Sequence, residues 1–257
     1  MSDLTTAVLN GDLQARDIAR GEGLAAVPVL QQLLANPDPW VRIVAVRALG
    51  EIPQPQALGV LLLTATDEDG MVAREAIEQL ERYPDRLDVK HLIAALERAQ
   101  DPNARRRLSL YLGRMALTDE DLAKLAALCQ RERIEEAKVG CLAALARTGN
   151  PDAEAAFKRR VKASSGRERV EVIHLLEYIG QRWVIETLSG WLDDKDNALF
   201  LNLDILPDAP QFMRVCDLAA NAIIRMTRAP VSFARDLPTN YSTAQLDEVR
   251  RIARSIP

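Results

Sequence analysis

Apolar side chains recur along this chain at offsets 0, +4, +7 and +8, the spacing that gathers them on one face of a helix. The clearest instance is DPWVRIVAVRALGEI, Asp38 to Ile52, where Val41, Ala45, Ala48 and Leu49 form the stripe. Sliding that stripe along the chain finds it again at Val72, Ala76, Gln79 and Leu80, then at Ala104, Leu108, Tyr111 and Leu112. Further copies fall at Ala137, Cys141, Ala144 and Leu145, at Leu175, Tyr178 and Ile179, and at Val215, Ala219, Ala222 and Ile223. The positions equivalent to Leu49 are separated by 31, 32, 33, 34 and finally 44 residues. A period of this size accommodates two helices and two turns.

A partner stripe precedes each of these. Leu24, Val27, Leu30, Leu33 and Leu34 form the first, followed by Leu58, Leu61 and Leu62, by Leu92, Ala95 and Leu96, and by Leu122, Leu125 and Leu128. Ala155, Phe157 and Val161 are a weaker version; Val184, Leu188, Trp191 and Leu192 are a strong one. NPDP, IPQP, YPD, DP and GNPD punctuate the pairs as turns. No long β-type alternation interrupts them. The pattern predicts an all-α solenoid of about six helix pairs, each too small to bury its apolar face without its neighbours. The expected organisation is a single domain over 1–257, with an N-terminal cap at 1–20, repeats at 21–228 and a C-terminal cap at 229–257. Ser242 and Gln245 stand at capping-box spacing and predict a last helix in STAQLDEVRRIARSI.

ANPDPWVRIVAVRALGEI resembles the second helix of HEAT repeats, in particular the short HEAT-like repeats of the phycobilisome-lyase type, whose pattern is D-x-x-V-R-x-x-A-x-x-A-L-G-x-I. Asp38, Val41, Arg42, Ala45, Ala48, Leu49, Gly50 and Ile52 match it. Asp69, Val72, Ala76 and Leu80 keep part of it in the second copy, and Asp101, Arg105, Leu112 and Gly113 in the third, while the fourth and fifth lack the Asp. The resemblance extends over roughly residues 20 to 228. It implies the solenoid fold and a binding role. Small stand-alone bacterial HEAT-like proteins resemble adaptors, assembly factors and immunity proteins that block a toxin.

Composition narrows the partners. The net charge of -4 and the pI near 5.4 argue against broad nucleic-acid affinity, which needs clustered Lys and Arg. Three scattered cysteines, Cys129, Cys141 and Cys216, do not make a disulfide framework and point to the cytoplasm. The start, Met1-Ser2-Asp3, has no basic segment leading into an apolar one, so no signal peptide is expected. No stretch approaches the roughly 20 apolar residues of a membrane span.

Catalytic chemistry is hard to find. Deoxyhypusine hydroxylases, which resemble this architecture, hold di-iron with His-Glu dipeptides; here His91 and His174 are followed by Leu92 and Leu175. No G-x-S-x-G elbow, Gly-rich phosphate loop or metal-spaced Cys cluster is present. The expectation is a non-enzymatic protein with no metal and no cofactor, a lyase-like enzyme being the third reading. Trp40, Trp183 and Trp191 are expected to pack in the structure rather than line a DNA-binding groove.

Two columns are candidates for binding. Two residues beyond each Leu49-equivalent the chain reads Glu51, Arg82, Arg114, Arg147, Gln181 and Arg225. Read functionally, Arg82, Arg114, Arg147 and Arg225 form a basic ridge for an acidic partner or a nucleic-acid backbone. Read structurally, they are cations complementing helix C-termini. At +2 and +6 from the Val41-equivalents lie Ile43 and Arg47, Arg74 and Glu78, Arg106 and Leu110, Val139 and Ala143, Ile173 and Glu177, and Asp217 and Asn221. In solenoids that resemble this one, second helices line the concave surface. Arg47, Arg74, Glu78, Arg106, Glu177, Asp217 and Asn221 are therefore the candidate groove, and their mixed charge suits a protein partner. The insertion LDDKDNALFLNLDILPDAP, 192–210, breaks the period and is either a binding element or a longer cap.

Overall fold

Asp38, Asp69 and Asp101 each open a helix by accepting hydrogen bonds from its first backbone N–H groups, Trp40, Met71 with Val72, and Ala104 respectively. Asp88, Thr118 and Asn150 do the same for the helices that precede or follow. These caps, with Pro at the first helical position after Asp38, Gln54, Asp101 and Asn150, convert the repeated turns into helix starts. In the computed structural model, which describes residues 3–83, 86–201, 210–234 and 239–256, the chain is an all-α solenoid of helix pairs.

Contacts gather into two units, 1–145 and 146–257. Unit 1 begins with α1 (Asp3–Leu9) and α2 (Gln14–Glu22) and continues through the pairs α3 (Val27–Leu33) and α4 (Pro39–Leu49), α5 (Pro55–Thr64) and α6 (Gly70–Leu80), α7 (Val89–Arg98) and α8 (Pro102–Leu112), and α9 (Asp119–Arg131) and α10 (Glu135–Arg147), whose last residues open unit 2. The second helices pack in succession, α2 on α4, α4 on α6 and α6 on α8. The first helices α3, α5 and α7 touch each other less. The predicted stripes fill the core between these layers: Val41, Ala45, Ala48, Leu49, Leu58, Leu61, Val72, Ala76 and Leu80 are all buried. Leu24 is a departure. It lies in a 3-10 turn, Gly23–Ala26, ahead of α3 and is 45% exposed.

Gly140 on α10 stands close against α8. A Cβ there would stand 2.8 Å from both the Cα and the carbonyl oxygen of Arg106 on α8, so only glycine fits.

Unit 2 holds the pairs α11 (Pro151–Ala163) and α12 (Glu168–Ile179), and α13 (Arg182–Gly190) and α14 (Val215–Thr227), followed by α15 (Thr243–Ser255). Ser242 and Gln245 form the capping box expected for α15. The 192–210 insertion contributes structure that the periodicity did not predict. β1 (Asn197–Phe200) pairs antiparallel with β2 (Phe212–Arg214), with a bulge between Asn197 and Leu199. Phe200 and Phe212 meet edge-to-face at 5.4 Å across this ladder. Residues 202–209 of the insertion lie outside the described residues.

Candidate functional site

In unit 1 one spacing recurs along the second helices, through Trp40, Ile43 and Arg47 on α4, Met71, Arg74 and Glu78 on α6, and Asn103, Arg106 and Leu110 on α8. Trp40, Met71, Arg74 and Glu78 are exposed, Arg47, Asn103, Arg106 and Leu110 are half-buried, and Ile43 is buried in the core. Trp40 departs from the packing expectation. It sits at the second position of α4 with 54% of its surface open, and Met71, its equivalent in the next repeat, is 56% exposed. Trp183, by contrast, is buried in α13. Trp40 protrudes because it occupies the second position of its helix, on the side away from the Val41–Ala45–Leu49 core stripe. The Arg47 guanidinium stacks 5.6 Å from its ring centroid.

Ion pairs lace this face from repeat to repeat. Arg47 of α4 binds Glu75 of α6 at 2.9 Å, and Glu75 also accepts from Gln79 at 2.9 Å. Arg107 of α8 reaches back to Glu78 at 2.9 Å and Glu81 at 3.1 Å, while Arg74 lies 3.8 Å from Glu78. Arg47, Arg74 and Glu78 therefore share one surface with Trp40 and Met71. Arg106 is half-buried against the crossing at Gly140.

The unit 2 members of the candidate groove have different positions. Glu177 binds Arg225 at 2.7 Å. Asn221 accepts from the Tyr241 hydroxyl at 2.6 Å. Asp217 is fully buried and has no surface to offer a partner. Its carboxylate accepts from the Arg214 backbone and guanidinium and from the Tyr241 backbone N–H, which locks the segment before α15 to α14. An Asp at the third position of a helix reaches back to the helix start, which is the local signal that its role is structural.

Three members of the arginine column, Arg82, Arg147 and Arg225, bind groups of neighbouring repeats. Arg82 donates to the Gly50 carbonyl at 3.1 Å, to Gln79 at 2.7 Å and to Glu51 at 3.2 Å. Arg147 donates to the Tyr178 carbonyl and stacks on the Tyr178 ring. Arg225 makes its two bonds to Glu177. Arg114 is exposed. The carbonyls satisfied by Arg82 and Arg147 are those of a neighbouring repeat rather than of their own helix ends.

Glu51, the acid in that column, gathers three arginines. Its buried carboxylate receives Arg16 and Arg20 from α2 and Arg82 from beyond α6. Burial opposes its ionisation, but hydrogen bonds from Arg20, Arg16 and Arg82 prevail and hold the carboxyl at about 2. A second repeated device uses the Arg after the Val41 position. Arg42 donates to Asp67 at 3.0 and 3.1 Å and to the carbonyls of Asn36 and Pro37. Arg105, its equivalent, donates to Glu132 and to the carbonyls of Ala99 and Gln100. Each stitches the end of one first helix to the end of the next.

His91 and His174 are both exposed. Cys129, Cys141 and Cys216 are buried free thiols, and Cys141 lies 3.1 Å from the Ser109 hydroxyl. Among the described residues no group of three or more His, Cys, Asp or Glu side chains could hold a metal ion. None of the described helices is long and apolar enough to cross a membrane.

Residues 15–81 match the family model of HEAT repeats. This span thus carries HEAT-like helical repeats, and it takes in α2 to α6, including Glu51, Trp40 and Met71. HEAT repeats commonly mediate protein interactions. No curated protein matches the chain.

Proposed function

We propose that this protein is a non-enzymatic interaction scaffold that binds a protein partner through the second-helix face of unit 1. The observation that carries this reading is the pairing of exposed Trp40 and Met71 at equivalent positions of consecutive repeats, with Arg47 and Arg74 beside them. Large exposed apolar side chains are usually scattered singly. Two at one register, one of them a Trp flanked by arginines, have the composition of an interface hot spot. The exposed charges around them, Arg74 and Glu78, form the polar rim such a patch needs.

Adaptor, assembly-factor and immunity roles all use such a surface, and the partner decides among them. The test is a tagged capture from host lysate with mass spectrometry, comparing wild type with Trp40→Ser/Met71→Ser/Arg74→Glu. A stoichiometric protein lost in the variant supports the reading. A partner retained equally by both moves the site elsewhere. Capture of nucleic acid alone by the wild type, released steeply by salt, refutes it.

A further inference from the structure

The outer layer of unit 1 carries a second surface. Helix α5, PQALGVLLLT, has no charged residue. Its solvent side is Gln56, Gly59, Val60 and Leu63, at helical spacing i, i+3, i+4 and i+7, and Leu63 is 54% exposed. A surface helix ordinarily turns polar residues outward. The exposed sides of its neighbours obey that rule, with Gln31 and Gln32 on α3 and Lys90, His91, Glu97 and Arg98 on α7. The apolar stripe thus sets α5 apart from α3 and α7.

A groove of about 530 Å³ lies between α5 and the α7 segment, floored by Leu58, Gly59 and Leu62. Gly59 is what keeps it open. It is an interior helical residue with nothing within 4 Å of an added Cβ and no positive φ, so neither crowding nor backbone geometry requires glycine there. On the other side of Leu63 a shallower depression of about 300 Å³ continues toward Leu34 and Ala35. The apolar surface thus runs across three first helices.

The groove's ends are basic. Arg86 closes one end and donates to the Pro53 carbonyl at 2.7 Å; Arg98 closes the other and donates to the Ala94 carbonyl at 3.0 Å. Neither has a carboxylate partner among the described residues. Asp88, the acid on the rim, is occupied in capping α7. From Asp88 to Arg98 the wall is about 15 Å long at 1.5 Å per residue, three turns of helix.

We propose that this groove binds a short amphipathic helix of a protein partner, its leucine- or phenylalanine-type side chains entering over Gly59 and its acidic residues, about three turns apart, meeting Arg86 and Arg98. This rests on the protein-binding reading above but assigns a separate surface. A helix fits better than an acyl chain because the groove is open along its length. An alkyl chain would stay wet on one side, whereas a helix covers the apolar floor with its own body.

The experiment is selection of a displayed dodecapeptide library on the wild type, with excess Gly59→Leu as competitor. Winners are then measured by fluorescence polarisation. Leu is a better helix former than Gly, and the site is open, so this variant retains its fold while filling the groove. Circular dichroism and thermal melting verify that. The expected result is enrichment of acidic, Leu- or Phe-rich helical peptides that bind Gly59→Leu and Arg86→Glu/Arg98→Glu at least tenfold more weakly. Basic or uncharged winners, equal binding to Gly59→Leu, or no enrichment overturns the proposal. So does laurate occupying the groove while no peptide does. Loss of the lysate partner in the Trp40 variant but not in Gly59→Leu leaves the scaffold reading standing, which keeps the two failures distinct.

Discussion

Arg82 donates a hydrogen bond from Nη1 to the Gly50 carbonyl oxygen, 3.1 Å away and one repeat earlier, and the same nitrogen lies 3.2 Å from the buried Glu51 carboxylate. One side chain thus satisfies a helix-end carbonyl and a buried acid at once. It joins α2, α4 and α6 through Glu51, on which Arg16 and Arg20 also converge.

That convergence predicts an acid-sensitive unit 1. Glu51 titrates at about 2 against an ordinary 4.5. A lowered folded-state pKa gives stability that is present above 4.5 and lost as pH falls toward 2. The difference corresponds to at most ~3 kcal/mol, and half-exposed arginines bring the expectation to about 1–3 kcal/mol. Glu51→Gln is expected to lose that stability at pH 7 and to flatten the stability profile between pH 5 and 2 in urea melts. An unchanged profile would show that Glu51 is not the titrating group.

The Arg42–Asp67 pair is nearly closed to solvent on both sides. Removing one partner leaves the other charge buried, so Asp67→Asn or Arg42→Met should cost about 3–5 kcal/mol. The double variant should be less destabilised than the sum of the two, because no lone charge remains. Chemical denaturation of all three variants measures the coupling, and strict additivity would contradict it.

Glycines at helix crossings should separate by what they meet. At Gly140 an added Cβ meets the Arg106 backbone, and Gly140→Ala should lower stability by about 2 kcal/mol or more. At Gly50 the obstacle is the flexible Gln79 side chain, and Gly50→Ala should be tolerated within about 1 kcal/mol. Thermal melts of the two variants decide whether backbone contact sets the difference.

In unit 2, Asp217→Ala strips partners from Arg214 and from the Tyr241 backbone N–H. A loss of about 3 kcal/mol is expected. Hydrogen exchange should rise first at Tyr241 and along α15, whose start Asp217 holds. Uniform protection there would mean that α15 is held by its apolar packing alone.

The helix pairs, their spacing and the Asp caps were legible in the sequence because they are local. An apolar stripe at 3.6-residue period and an acceptor before a helix need only neighbours along the chain. The partners of charged residues were not legible. Arg82 and Arg147 looked like a ridge and Asp217 like a groove residue, yet each is consumed by an atom about one repeat, or a long loop, away. Trp40 looked like core because it is large and apolar, but its position on the helix turns it outward. The ladder between β1 and β2 pairs strands separated by eleven residues and leaves no periodic signal. Sequence alone therefore determined that this protein is a stack of helix pairs, since burying one stripe per helix has few solutions. Only the tertiary structure decided which surfaces remain open. That depends on how side chains from successive repeats meet, and no single stretch of chain contains both halves of those contacts.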